Sequence, residues 1–84
     1  MTFAEATAQA TVIKRILRTT RAKRTVVRKA MGSIMRVTPR EYHTLVGEVK
    51  AYTAVIEYLK PMLEDLNETA SYVLKLEQSM EEEE

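Results

Sequence analysis

"LVGEVKAYTAVIEYLKPMLEDLNETASYV" (residues 45–73) places apolar residues in alternating steps of four and three. Leu45, Val49, Tyr52, Ile56, Leu59, Leu63, Leu66, Ala70 and Val73 fall on that pattern, and Met80 resumes it after Glu77 breaks it. Such spacing keeps one stripe of a helix facing the same way turn after turn, so it predicts a long helix with a heptad seam. Val46, Val55, Met62, Leu74 and Leu76 flank the seam. The stripe is therefore wider than a two-stranded coiled coil requires and suits a bundle of three or four helices. The seam is expected to join chains into a homo-oligomer. Pro61 lies inside the stretch, yet the heptad phase passes through it unchanged and puts it on the outer face. A bend is expected there rather than a stop. If Pro61 ended the helix, there would be three helices, the second stopping near Leu59.

Outward from this stretch, the start of the helix is marked by Thr38, Pro39 and Glu41. A Thr cap, a Pro at the first helical position and a Glu at the third satisfy or dispense with backbone N–H groups that a first turn leaves free. Val37 and Tyr42 are placed to form a hydrophobic staple across that start. Thr2 and Glu5 repeat the box near the N-terminus, and Gly32-Ser33 falls where a first helix should loosen. The reading is helix 1 over about 3–36, helix 2 over about 39–80 and an acidic tail at 81–84, in a single helical domain. The short connection predicts an all-α, antiparallel two-helix hairpin that forms an oligomeric bundle.

Helix 1 is amphipathic. Ile13, Ile16, Leu17, Val27, Met31, Ile34 and Met35 share one face, whereas Lys14, Arg15, Arg18, Arg21, Arg28, Lys29 and Arg36 share the opposite side. Arg24 interrupts the apolar stripe. One reading packs its stem and lets the guanidinium snorkel or meet a Glu of helix 2. The other makes it a buried cation in a partly dry groove, ready for a phosphate or carboxylate.

The charges are segregated along the chain. Residues 1–40 hold ten Lys or Arg and one acid, Glu5, while residues 41–84 hold three Lys and eleven acids. The net charge of +1 conceals this split. In a hairpin the halves lie side by side, so Glu48, Glu57, Glu64 and Glu68 are candidates to face the basic helix. Arg15, Arg18, Lys29 and Arg36 point away from any seam and have no acid one turn further along their own helix. Such a row can follow a phosphate backbone and give affinity without sequence readout. The basic stretch has no aromatic residue for stacking on bases, because Tyr42, Tyr52, Tyr58 and Tyr72 all belong to helix 2.

Other chemistry is poorly served. The chain has 84 residues, no Cys and one His. A domain of that size buries only about 60 to 65% of its unfolded surface. Disulfides are excluded, and one His with no Cys cannot build a structural zinc site, so neither metal nor cofactor is expected and partner chains become the stabiliser. His43 reads as surface or capping material, and no Ser or Lys nucleophile has a base at motif spacing, so catalysis is not expected. Asn67-Glu68-Thr69 fits a glycosylation pattern but lies within the helix 2 reading. No stretch approaches the roughly 20 apolar residues of a membrane span, and the start "MTFAEATAQATVIKR" lacks a signal peptide's basic and long apolar regions. A cytoplasmic protein without membrane contact is expected.

The chain thus reads as a small, homo-oligomeric binding protein that contacts DNA or RNA phosphates through helix 1. An adaptor or inhibitor docking on an acidic protein surface is the second reading, and a structural assembly subunit the third. The small size and charge separation suit a phage or plasmid accessory protein.

Overall fold

The computed structural model describes residues 1–33 and 38–83, which form two helices, α1 (Phe3–Met31) and α2 (Pro39–Glu83). Ile34, Met35, Arg36 and Val37, and with them the staple and the expected end of helix 1, lie outside the described residues. So does Glu84.

Both helix starts use the expected caps, in different detail. Thr38 Oγ1 accepts from the Glu41 backbone N–H at 3.2 Å, and Glu41 Oε2 accepts from the Thr38 N–H at 3.3 Å. This reciprocal arrangement satisfies two otherwise free donors. At the first helix Thr2 Oγ1 accepts from the Glu5 N–H at 3.2 Å. The Glu5 carboxylate, however, takes the Thr2 hydroxyl rather than a backbone N–H. Helix α1 stops at Met31, short of the expected Arg36. Gly32 N–H donates to the Arg28 carbonyl at 3.1 Å and Ser33 N–H to the Ala30 carbonyl, so the end tightens into an i to i+3 bond. Gly and Ser are weak helix formers, which accounts for the ending there. Helix α2 runs on past Met80 to Glu83 and contains Pro61, whose side chain is exposed. The described chain therefore has two helices, and the three-helix alternative is set aside.

The helices pack antiparallel. Phe3 N–H meets Glu77, Leu17 and Ile13 pack with Leu63 and Leu66, and Arg24 meets Thr53. Each step up α1 is matched by a step down α2. Helix α2 has 45 residues, about 68 Å at 1.5 Å per residue, and it sets the long axis of a molecule measuring 69 × 15 × 13 Å. The radius of gyration is 19.5 Å, against about 12 Å for a compact domain of this length. Helix α1 has 29 residues, so α2 overhangs it at both ends.

The heptad seam of α2 faces α1. Ile56 is buried with Ile13 and Leu17, and Leu59, Leu63 and Leu66 pack against them. Ala70 is buried too, and Leu45, Val49, Tyr52 and Val73 are half-buried. The stripe assigned from the sequence to contact between chains is thus engaged within one chain. The shared apolar face of α1 is divided by this packing: Ile13, Leu17 and Val27 are buried, whereas Ile16 stays 43% exposed. Two helices can cover only a narrow strip of each other, and both apolar stripes are wider than that strip.

Candidate nucleic-acid interface

Lys14, Arg15, Arg18, Arg21, Arg28 and Lys29 are all exposed on α1. Fifteen residues separate the first from the last, a rise of about 22 Å along the helix. Their position follows from the packing. With Ile13, Leu17 and Val27 turned into α2, the helical period places these six cations on one flank and the outer face. Lys14, Arg18 and Arg21 border a groove floored by Leu17 and Leu63. Arg36, the seventh residue of the predicted row, lies outside the described residues.

This row has no acids of its own. From residue 6 to residue 40 the chain holds none, so the neutralising groups must come from α2. Glu48, Glu57, Glu64 and Glu68 are all exposed there. Among the described residues two hydrogen bonds cross between the helices, and neither joins a basic side chain to an acidic one. The first runs from the Phe3 N–H to Glu77 Oε1 at 3.3 Å. The second runs from the Arg24 guanidinium to Thr53 Oγ1 at 3.3 Å.

Those two bonds revise the reading of two residues. Arg24 is half-buried in the apolar stripe and meets a hydroxyl, not a Glu of helix 2. A neutral acceptor leaves the charge uncompensated, and a position open on one side to water is where that is tolerated. Glu77 breaks the heptad because its carboxylate sits against the first turn of α1. There it accepts a free backbone N–H at the positive end of the helix dipole. The heptad pattern could show only that position 77 was wrong for a seam. The antiparallel register was needed to show what the carboxylate was for.

The aromatic residues lie away from this row. Tyr42, Tyr58 and Tyr72 are exposed on α2, and Tyr52 is half-buried beside Val26 and Val27 of α1. Tyr42 and His43 form an edge-to-face pair at the exposed start of α2, ring centroids 6.2 Å apart. Among the described residues no group of three His, Asp or Glu side chains is placed to hold a metal ion. No helix among them is long and apolar enough to cross a membrane.

The opposite flank is a feature that helical periodicity alone does not isolate. Val12 of α1 stands beside Met62 and Leu66 of α2, exposed Ile16 follows Val12 one turn further along, and Val26 stands beside Tyr52. Val55 and Met62 flank the heptad seam in the sequence. Which residues of α1 they lie beside, Val12 in the case of Met62, depends on how the helices are rotated and set in register against each other.

Compared with family models, with curated proteins and with solved structures, the chain matches none of them. Fold and surface together define it as an antiparallel helical hairpin with one basic and one apolar flank.

Proposed function

We propose that this protein is a small, non-enzymatic, homo-oligomeric binding protein that contacts nucleic-acid phosphates without reading sequence, through the exposed cations of α1. The observation that carries this is the exposure of six Lys and Arg side chains on an acid-free stretch of helix. A cation already held by a carboxylate gains little from a phosphate, whereas a solvated one releases counterions when it binds. The lack of aromatic side chains in the row argues for backbone contact over base stacking. No helix-turn-helix is available among two antiparallel helices to carry side chains to base edges.

The test is fluorescence anisotropy with labelled duplex DNA and with RNA, titrated across salt. Six neutralised phosphates give a log–log salt slope of about −5 on a duplex and about −4 on a single strand. Reversing Arg15, Arg18 and Lys29 to Glu is expected to abolish binding, or to leave a residual slope of about −3, with helicity unchanged. Equal binding by that triple variant would overturn the proposal. Failure of the wild type to bind at the lowest salt would do the same and would point to an acidic protein surface instead.

A further inference from the structure

A folded monomer of 9.6 kDa exposes about 5,100 Å²; this hairpin exposes 6736 Å². The surplus of about 1,600 Å² is twice the roughly 800 Å² that each partner contributes to a standard interface. The core is thin to match. Buried apolar residues among those described are Ala6, Ala10, Ile13, Leu17, Val27, Ile56 and Ala70, three of them alanines. With no Cys to form a disulfide, a hairpin of this size needs its apolar surface covered if it is to stay folded. A second copy is the covering that is always present when the chain is.

Five of the eleven exposed large apolar side chains lie along the middle of the hairpin toward one flank; Met1, Tyr42, Tyr58, Tyr72, Leu76 and Met80 are exposed elsewhere. Val12 is 55% exposed, Ile16 43% and Val26 67% on α1, with Val55 at 41% and Met62 at 40% on α2. By the helical period Val12 and Ile16 lie on the side of α1 away from Lys14, Arg18 and Arg21, while Val26 is turned further outward, next to Arg15 on the helical wheel; Met62 lies with Val12. Gln9, Asp65 and Lys23 edge this flank as its polar rim.

We propose that this flank pairs with the same flank of a second copy about a two-fold axis parallel to the helices, so that α1 of each chain lies on α2 of the other in a four-helix bundle. Two symmetric pairings are open to the flank, and charge selects between them. An axis across the helices would set α1 on α1, and α1 carries eight Lys or Arg against one Glu. An axis along the helices sets α1 on α2, which carries four Lys or Arg against ten acids. At this flank itself α1 shows Lys23 and α2 shows Asp65, and the net charges of the whole helices act over a longer range; both favour setting α1 on α2. It makes every neighbouring pair of helices antiparallel, the usual up-and-down bundle. Rotation about the helix direction also preserves height. Because Leu17 and Leu63 line the same groove and so lie at about one level, Ile16 comes to the level of Met62 of the partner subunit, and the reverse contact follows by symmetry. The six cations of α1 stay outside, on opposite sides of the bundle. This pairing does not depend on what those cations bind.

The experiment combines a mass measurement with cross-linking. Sedimentation equilibrium of the wild type is expected to give twice the chain mass. Ile16→Cys and Met62→Cys chains, prepared separately, mixed and mildly oxidised, are expected to join mainly to each other, since the natural chain offers no competing thiol. Mixing Arg18→Cys with Met62→Cys chains is expected to yield several-fold less product. A one-chain mass up to the solubility limit, or a mass above two chains, would overturn the proposal. So would preferential joining of Ile16→Cys chains to themselves, or an equal yield from the Arg18→Cys mixture.

Discussion

On one flank of the hairpin α1 shows Lys14, Arg18 and Arg21 beside Leu63; on the other it shows Val12 beside Met62 and Leu66, with Ile16 exposed one turn further along. Both flanks are built from the same two helices, and neither is buried. They differ in what water does to them. Solvated cations are stable as they stand and wait for an anion, whereas a contiguous apolar strip loses free energy for every Å² left in water, about 25 cal/mol. The first flank is therefore a surface for occasional ligands. The second is a surface that folding itself has reason to cover.

That contrast can be broken or sharpened by substitution. The largest expected effect lies between the flanks, at Leu17, which is 2% exposed. Leu17→Ala should cost about 2–5 kcal/mol, read as a lower thermal midpoint by circular dichroism, with both flanks lost together as the hairpin opens. Next comes Met62→Glu. On an isolated hairpin a change at this exposed position stays within about 0.5 kcal/mol. In the paired form it puts a carboxylate into an apolar seam, so the dimer should dissociate at least about tenfold more readily. Arg18→Glu on the other flank should leave the sedimenting mass unchanged, and an equal loss from both would erase the distinction between the flanks.

Smaller effects probe the scaffold that holds the flanks in place. Thr38→Ala removes the acceptor for the Glu41 N–H and should cost about 1 kcal/mol in chemical unfolding. Gly47 is a helical position where an added Cβ would meet nothing within 4 Å. Gly47→Ala should therefore raise stability by roughly 0.5–1 kcal/mol, without altering binding on either flank.

Much of the hairpin was legible in the chain. The four-and-three spacing of Leu45 through Val73 foretold α2 because burial along one helix must recur with the helical period. Thr38 with Glu41, and Thr2 with Glu5, foretold both starts because only a few residue types satisfy a free first turn. The basic row was legible for a similar reason: with the apolar face of α1 identified, the helical period places the cations opposite.

What the sequence left open depends on two helices meeting. Periodicity states that the seam of α2 will be covered but not by which chain, and the hairpin covers it with α1 of the same chain. It groups Ile16 with Ile13 and Leu17, yet only the rotation of α1 against α2 exposes Ile16 and buries the other two. Arg24 and Glu77 read as isolated faults until the antiparallel register brought Thr53 and the Phe3 N–H to them. Local pattern is set by the period of one helix and the chemistry of its ends, so the sequence alone determines it. Partners are set by register and rotation, which arise from packing summed over the whole interface, and only the tertiary structure decides those.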